Sequence, residues 1–511
     1  MQKQQHSGYA VAGNLLNDDK LNCKVIINLD CADISTDYTG VVSKTIKNSM
    51  EKYLQQMSKT QDISYPRFNK NLEKTFADSL ESILWNKIDY NNIEKCQSIF
   101  PYLEKFLHNL TGSGKNVKVF VPEDLFGYFR FLAEKRGCEV ELIKTSKDYK
   151  IDIESLNNIS TQDADQIRIL LWLNPINPTQ SVYTEEEIKT LKDKINQNFN
   201  IILEDLTFAE IYNGKYPDGV LNGHRTSFEC EDIDKMKNIQ KPYFLCQTQE
   251  LKDKTMVLYS IAKSLYAKDR ISMVYTPENL KQYIIDDKSP NEKFDGYPIV
   301  EQLVEDLLKN KVPIINAHTE FYKETHQHIV DGCNIFNMKL QHLFGKNIDF
   351  IKPIPKEWQS ANTLIIDVKN LYNSLKENHL INEKHGDNYA DMYEFFINNT
   401  GTKMIPGSLN NMTDENLYFR LPLGGLNVKE NITQFFKNLS SFIVQNKENI
   451  KFSMQQDFPS MFGSMDFLLT QQKPLSMLER DWYSKDDTDK PKHSPQTIKT
   501  KQSYEGTFLS K

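Results

Sequence analysis

The sequence predicts an α/β fold with a mostly parallel sheet. From about residue 86 to residue 300, apolar runs with strand character alternate with helical patterns, which is typical of parallel sheets. Polar residues follow three of these runs: Ile167 to Leu173, Ile201 to Glu204 and Met256 to Tyr259. Because open α/β sheets bind ligands beyond the carboxyl ends of their strands, we expect a ligand site at that edge.

The regions on either side also carry recognisable patterns. Residues 1–85 predict a strand followed by helices, and residues from about 300 to 345 predict helix. Asn362 to Val368 and Tyr418 to Pro422 predict strands of a second, smaller layer. From about residue 456 the pattern dissolves into polar residues with scattered aromatics, which favours a solvated extension.

One helix within the sheet region is clearly marked. Thr184 and Glu187 form a capping-box pattern, in which each side chain binds a backbone amide at the start of a helix. Ile188, Leu191 and Ile195 then repeat at the spacing of one helix face. We therefore expect an amphipathic helix at this place.

Composition narrows the class of protein. The 511 residues allow more than one domain, and 62 Lys and Arg against 69 Asp and Glu give a net charge of −7. That balance argues against general nucleic-acid binding, which needs a basic face. Seven cysteines without a CxxC pair indicate reduced thiols. No signal peptide and no membrane-spanning apolar run is recognisable, so we expect a soluble, cytoplasmic protein.

A cluster of three histidines raises the question of a metal site. His318, His326 and His328 lie close to Glu320 and Glu324, and all five are residue types that bind metals. Their spacing matches no metal-binding motif, and charged helices often carry such groups on a solvent face. We therefore predict a solvent-facing helix and no metal.

The residues after the three apolar runs point to one cofactor chemistry. An Asn-Pro-rich loop follows the first run, an aspartate closes the second, and a lysine between a serine and an arginine follows the third. The residues concerned are Asn177, Asp205, Ser260, Lys263 and Arg270. In its order and approximate spacing, this set resembles the class I/II aminotransferases, which are pyridoxal phosphate (PLP) enzymes of fold type I.

The resemblance implies a role for each of these residues. Lys263 would form the Schiff base with the cofactor aldehyde, which requires an amine. Asp205 would keep the pyridine nitrogen protonated, so that the ring can accept electrons. Ser260 and Arg270 would bind the cofactor phosphate, for which arginine offers a planar pair of donors. Asn177 would donate to the ring hydroxyl and contact the substrate.

Four further roles come from the same resemblance. Arg420 resembles the arginine that binds the substrate α-carboxylate with two hydrogen bonds. Phe126 resembles the aromatic residue that stacks on the cofactor ring, with Tyr128 as the alternative. Tyr65 resembles the tyrosine that the family lends across a dimer interface to the phosphate of the partner. Because such a tyrosine serves the neighbouring subunit, a homodimer is expected. Ala32 stands in a loop that would contact the substrate.

Several positions depart from the family pattern. Phe208 replaces a tyrosine that would donate to the ring hydroxyl, and Gln180 replaces a glycine after the Asn-Pro loop. Ala32 replaces a glycine that lets the backbone approach the substrate. The helix predicted around Ile93 to Leu107 lacks a glycine-containing phosphate loop at its start. These differences bear on activity more than on fold.

The resemblance also implies the domain organisation. Residues 86–320 would form a large cofactor domain with a mostly parallel sheet. Residues 1–85 and 321–455 would together form a smaller α+β domain built from both termini, and residues 456–511 would be a partly disordered extension.

Three functions are compatible with these residues. The leading hypothesis is a PLP-dependent aminotransferase that moves an amino group between an L-amino acid and a 2-oxo acid. A β-eliminating lyase of the same fold would use the same lysine. A degenerate PLP fold that serves as a binding or regulatory module is the third, although retention of Lys263, Asp205 and Arg420 together argues against it.

Overall fold

A computed structural model shows the fold of the chain. It describes residues 27–29, 37, 40–59, 71–84, 88–159, 165–213, 242–265, 271–283, 298–345, 347–381, 387–412, 416–425 and 427–446. The chain divides into two units, Met1–Asn449 and Ile450–Lys511, and all described residues belong to the first. The extension predicted for residues 456–511 lies outside the described residues.

Twelve strands occur in the described part of the chain. They are β1 (Ile27–Leu29), β2 (Ile93–Cys96), β3 (Val117–Pro122), β4 (Glu139–Ile143), β5 (Ile167–Leu173), β6 (Ile201–Asp205), β7 (Thr255–Ser260), β8 (Ser272–Tyr275), β9 (Lys352–Ile354), β10 (Thr363–Asp367), β11 (Thr402–Pro406) and β12 (Tyr418–Pro422). They form two sheets, and the predicted strand runs correspond to β5, β6, β7, β10 and β12.

Eleven α-helices occur in the described part of the chain. They are α1 (Val41–Lys59), α2 (Asn71–Leu84), α3 (Ile99–Gly112), α4 (Tyr128–Lys135), α5 (Ile153–Asn157), α6 (Glu185–Asn198), α7 (Pro298–Lys309), α8 (Lys311–Phe344), α9 (Lys369–Glu377), α10 (Asn388–Thr400) and α11 (Val428–Gln445). The predicted capping box is confirmed, because Thr184 and Glu187 bind each other's backbone amides at the start of α6. No described helix has the length and apolar character needed to cross a bilayer.

The larger sheet has seven strands in the order β2-β8-β7-β6-β5-β3-β4. Its pairs from β7 to β4 are parallel, and β8 runs antiparallel to both of its neighbours. Both faces of this sheet are covered. On β7, Met256 and Leu258 belong to one apolar core, and the alternate residues Val257 and Tyr259 belong to the other. The run from Met256 to Tyr259 is therefore apolar on both faces, as is typical of a strand buried in the middle of a parallel sheet.

The smaller sheet has five strands in the order β1-β11-β12-β10-β9. Strand β1 pairs parallel with β11, and the remaining pairs are antiparallel. Helix α8 connects the regions of the two sheets. Near its start Ile314 and Ile315 belong to the core of the larger sheet, while Gly332 further along lies against the ring of Phe436 in α11.

One predicted element is wrong in part. Residues Ile93–Cys96, predicted as the start of a helix, form β2 and pair antiparallel with β8. The helix begins only at Ile99, after Ser98. The burial of Ile93 and Cys96 against the sheet outweighs the helical pattern of the residues that follow.

The domain boundaries at residues 85, 320 and 455 stay a prediction. Residues from α1 and α2, such as Val42 and Phe76, pack in the same core as Val257 of the larger sheet. The amino-terminal helices thus contribute to the layer that covers the larger sheet, whichever domain they are assigned to.

Candidate active site

The site is defined by the shared carboxyl edge of four strands. Strands β3, β5, β6 and β7 are parallel, and their register places Leu173 beside Asp205 and Asp205 beside Leu258. The loops that leave these strands therefore start next to one another. They carry Phe126, Asn177, Asp205 itself and the turn of Lys263. The ligand edge expected from the sequence is the edge at which these residues converge.

The loop after β5 is held tightly by backbone contacts. Asn174 Nδ2 donates to the carbonyl oxygens of Tyr183 and Tyr243 at 3.0 and 2.7 Å, and its Oδ1 accepts the amide of Tyr183 at 3.0 Å. The next turn contains Asn177, which is buried and whose carbonyl accepts the amide of Phe126 at 3.1 Å. The Asn-Pro segment is therefore an ordered support that joins the ends of β3 and β5.

Asp205 presents a buried carboxylate at the end of β6. Its Oδ1 accepts the amide of Thr207 at 2.8 Å and the Thr207 hydroxyl at 2.5 Å. Burial nevertheless dominates and raises the pKa of Asp205 to about 6. A cationic N–H group beside this carboxylate would be stabilised by it and would lower its pKa. Asp205 thus fits a protonated pyridine nitrogen.

The turn that carries Lys263 is held from both sides. Ser260 Oγ accepts the amide of Ala262 at 3.3 Å. From α8, Tyr322 donates its hydroxyl to the carbonyl of Lys263 at 3.5 Å, and His318 Nδ1 lies 2.9 Å from the carbonyl of Ser264. His318 and Tyr322 are one helical turn apart, so one face of α8 binds two successive carbonyls. The backbone of the lysine turn is therefore fixed, while the Lys263 side chain is half-buried.

The three histidines of α8 have structural contacts. His318 binds the Ser264 carbonyl, His326 Nε2 lies 3.0 Å from the carbonyl of Pro355, and His328 Nε2 lies 2.9 Å from Thr433 Oγ1. The predicted solvent face is wrong for His318 and His326, which are buried, because α8 packs between the two sheets. Within the described ranges, no group of three or more metal-binding side chains could hold an ion.

A buried ion pair lies beneath the site and has no signal in the sequence. Lys311 Nζ is 2.6 Å from Glu210 Oε1, with side chains 3% and 1% exposed. Lys311 also donates to Ser79 and Ser82, and Tyr259 donates to the other oxygen of Glu210 at 2.7 Å. The network joins the loop after Asp205 to the residue before Ser260. Its members come from four separate chain segments, which no local pattern connects.

A second carboxylate, missed by the sequence analysis, neighbours Asp205 on the same strand. Glu204 is fully buried and accepts the amides of Leu245 and Cys246 at 2.6 and 2.9 Å. Burial raises its pKa to about 7. Because successive strand residues point to opposite faces, Glu204 faces the 245–246 segment and Asp205 faces the opposite side of the sheet.

Arg420 and Phe126 meet across the two sheets. Arg420 lies on β12 opposite Ile365 and Ile405, and its guanidinium carbon is 6.0 Å from the centre of the Phe126 ring. Of the two aromatic candidates, Phe126 is the one bonded to the Asn177 loop. Tyr128 instead packs on Phe100 with ring centres 4.6 Å apart. The smaller sheet therefore brings its arginine to the edge of the larger one.

Two departures from the family pattern have distinct structural settings. Gln180 adopts a left-handed backbone with φ 66°, a conformation that glycine takes without strain. This explains why a glycine is the expected residue there. Phe208 is buried three residues after Asp205, and its ring has no group that could donate a hydrogen bond.

Three predicted site residues cannot be placed. Ala32, Tyr65 and Arg270 lie outside the described residues. Of the expected phosphate-binding elements, Ser260 is described at the edge of β7, and α3 begins after Ser98, whose side chain makes no capping bond. The hydroxyl of Ser260, the carboxylate of Asp205 and the ring of Phe126 offer the phosphate donor, nitrogen partner and stacking surface that PLP requires.

The fold is that of fold type I PLP-dependent enzymes. The aromatic aminotransferase from Pyrococcus horikoshii OT3 is similar with a TM-score of 0.59 at 13% identity, covering 86% of this chain and 99% of that chain. Cystalysin from Treponema denticola, which contains a pyridoxal 5'-phosphate cofactor, is similar with a TM-score of 0.61 at 13% identity, covering 84% and 95%. At these identities the likeness concerns the fold alone.

Residues 28–345, well over half of the chain, match the family Aminotransferase class I and II, and the chain belongs to this family. It is 26% identical over 180 residues to the histidinol-phosphate aminotransferase of Pelagibacter ubique, covering 35% of this chain and 45% of that protein. The corresponding enzyme of Staphylococcus carnosus is 24% identical over 102 residues, covering 20% and 28%. The chain thus spans less than half the length of either relative.

The raised pKa of Asp205 predicts a pH-dependent stability of the cofactor-free protein. An unfolded aspartate titrates near its ordinary value of about 3.9, so between about pH 4 and 6 the folded state binds more protons than the unfolded one. Stability therefore falls as the pH rises through this window. Asp205→Asn removes the cost of ionising this buried carboxyl. The variant should therefore be more stable than wild type at pH 7, by up to about 3 kcal/mol. Urea denaturation of both proteins at pH 4 and 7 measures it, and equal stabilities at pH 7 would contradict the assignment. The titration of Glu204 is common to both proteins.

Proposed function

We propose that this chain is a PLP-dependent aminotransferase that moves an amino group between an L-amino acid and a 2-oxo acid. The observation that carries the proposal is the position of Asp205. Its buried carboxylate lies on the strand next to the one that leads into Lys263, and Arg420 faces the same edge from the other sheet. A carboxylate kept out of water at a ligand edge costs stability, which a cationic ligand group would offset.

PLP, when bound, supplies an aldehyde that condenses with amines and a ring that accepts electrons from the carbon beside the amine. Asp205 would hold the proton of the ring nitrogen. Phe126 would cover one face of the ring, and Asn177 would donate to its hydroxyl. Ser260, with Arg270 from the same chain and Tyr65 from a second copy, would bind the phosphate.

Lys263 would anchor the cofactor and then act as the general base. Its Nζ would take the α-proton of the substrate, hold it within the site and then return it to the reacting atoms. Tyr322 bonds the carbonyl of Lys263 and His318 bonds the carbonyl of the next residue, Ser264, so these contacts hold the backbone from which the lysine side chain extends. Such an arrangement suits a residue whose amine must move between two atoms while its origin stays fixed.

Arg420 would bind the α-carboxylate of the substrate. Its location over Phe126 places a fixed positive charge beside the surface on which the ring would stack. A bidentate contact there would orient the bond that is to be broken. Ala32 would contribute backbone to the same substrate site.

The products of the reaction distinguish the aminotransferase from a second candidate function, a lyase. A β-eliminating lyase would use the same lysine and aspartate, and the similar structures include cystalysin as well as an aminotransferase. Incubation with a panel of amino donors separates the two. The panel contains amino acids and, because both sequence relatives are named for it, the amino alcohol ester histidinol phosphate. Exchange with 2-oxoglutarate indicates a transferase, and pyruvate with ammonia indicates a lyase. PLP binding without turnover would favour a regulatory module.

The cytoplasmic location expected from the sequence stays a prediction. The four cysteines in the described part of the chain, Cys96, Cys138, Cys246 and Cys333, are free thiols. Free, mostly buried thiols are typical of proteins from reducing compartments, which supports this location.

Replacing Lys263 tests the identity of the anchoring lysine. Lys263→Ala should abolish the visible absorbance of the bound cofactor and reduce transamination by several orders of magnitude, because it removes the amine that would condense with the aldehyde. Lys268→Ala is the matched control and should retain both. Borohydride reduction followed by peptide mass spectrometry should find the cofactor mass on the peptide that contains Lys263. A label on Lys268 or Lys311 would reject the assignment.

Replacing Arg420 tests the carboxylate contact. Arg420→Gln should lower kcat/KM for amino donor and 2-oxo acid by on the order of 100-fold, equivalent to about 3 kcal/mol, because the charged bidentate contact is lost. Arg420→Lys should recover only part of the lost kcat/KM, since an ammonium group cannot bind both carboxylate oxygens in one plane. Lys352→Gln, on β9 of the same sheet, should behave as wild type. Steady-state kinetics with unchanged kcat/KM in Arg420→Gln would contradict the role.

The proposed homodimer predicts a shared site. Static light scattering of the PLP-loaded protein should give twice the mass of one chain. Tyr65→Phe should weaken PLP binding by roughly tenfold, because one hydrogen bond to a charged phosphate is lost. Mixing Tyr65→Phe with an excess of Lys263→Ala should restore one intact site in each mixed dimer. A monomer that binds PLP normally would exclude the arrangement.

A further inference from the structure

Gln180 has the left-handed backbone that the expected glycine would favour, but it also has a side chain with partners of its own. Its side chain is fully buried. Its Nε2 donates to the carbonyl of Thr363, and its Oε1 accepts the amide of Gln359 at 3.1 Å. Its own carbonyl accepts the hydroxyl of Ser360 at 2.7 Å. Three hydrogen bonds thus join one residue of the Asn177 loop to the segment that leads into β10.

These bonds link the two halves of the site. Asn177 lies three residues before Gln180 on the edge of the larger sheet, and Thr363 Oγ1 also lies 3.4 Å from Asn177 Oδ1. On the other side, Thr363 is the first residue of β10, and Ile365 of that strand is paired with Arg420. Asn177 and Arg420 are therefore connected in two steps. Hydrogen bonds of Gln180 and Asn177 reach Thr363, and the strand pairing of β10 with β12 reaches Arg420.

A glutamine at this position makes contacts that a glycine could not. The left-handed backbone at φ 66° is unfavourable for a residue with a side chain, so the conformation persists only because surrounding contacts hold it. Both polar atoms of the amide are bonded, which a buried glutamine requires. The strained backbone and the satisfied side chain together indicate a specific clamp between the sheets.

We propose that Gln180 is a positioning residue that fixes Arg420, which would bind the substrate carboxylate, relative to Asn177 and the cofactor edge. The inference rests on the proposed function, and it concerns where the substrate is held, not how the cofactor is bound. Asp205 and Ser260 lie on strands of the larger sheet, Lys263 lies on the turn after β7, and Asn177 is also bonded by the amide of Phe126, so cofactor binding does not depend mainly on the clamp. Substrate binding does, because it requires groups on both sheets.

Two substitutions separate the backbone from the side chain. Gln180→Gly relieves the left-handed conformation and removes both side-chain bonds. Gln180→Asn keeps a residue that tolerates this conformation, but its amide is one carbon too short to reach Gln359 and Thr363. Gln341→Asn is the matched control, because Gln341 also donates to a carbonyl, that of Ile348, but at an exposed site.

Each protein is compared in three measurements. Calorimetry of the PLP-loaded protein gives the Kd for 2-oxoglutarate, absorbance titration of the cofactor-free protein gives the Kd for PLP, and hydrogen–deuterium exchange with mass spectrometry of the PLP-loaded protein follows residues 359–367. Both Gln180 variants should bind 2-oxoglutarate about tenfold more weakly, equivalent to about 1.4 kcal/mol. Their PLP affinity should stay within about twofold of wild type, and residues 359–367 should exchange faster. Gln341→Asn should match wild type in all three.

Several results would overturn the proposal. Unchanged exchange in both variants would mean that the side chain does not clamp the sheets. Faster hydrogen–deuterium exchange with an unchanged 2-oxoglutarate affinity would mean that the Gln180 contacts stabilise the segment but do not position the substrate. A parallel loss of PLP affinity would place its effect on the cofactor instead. If the wild-type protein itself bound neither PLP nor 2-oxoglutarate, the proposed function would fail, and the exchange measurement would still decide whether the clamp exists.

Discussion

The parallel pairing of β5, β6 and β7 is the constraint on which the site depends. Parallel strands that pair in register end at one edge, so the polar residue that follows each apolar run is brought beside the others without any direct contact between them. Asp205 shows the consequence most clearly. It is the last residue of β6, and it lies buried between two neighbouring strands. Loss of register would move it to the opposite face.

This constraint explains which parts of the site could be predicted from the sequence. Asn177, Asp205 and Lys263 each follow a recognisable buried strand, and for that reason local patterns were enough to predict their convergence. Arg420 was predicted from the family resemblance, and its approach to Phe126 depends on how a second sheet is placed. No strand pattern specifies that placement.

The residues that sequence reasoning missed are supports formed by distant segments. Tyr322 and His318 bind carbonyls of the lysine turn from a helix more than fifty residues further along the chain. A polar residue on a helix face carries the same sequence signal whether it faces solvent or a buried carbonyl. For this reason the histidines of α8 were assigned to a solvent face. For Gln180, the sequence shows only a departure from an expected glycine. The partners of the glutamine side chain lie about 180 residues further along the chain, where no local pattern indicates them.

The buried pair of Lys311 and Glu210 also limits how this sequence can change. Replacing either member alone would leave a charge without a partner in the core, at a cost of about 3 to 5 kcal/mol, whereas replacing both by apolar residues of similar volume can be nearly neutral. A protein with a total stability of roughly 5 to 15 kcal/mol would lose much of it in a variant that carries only one of the two replacements. The two positions must therefore be exchanged together in any redesign, and a library that varies them singly would discard solutions that the fold accepts.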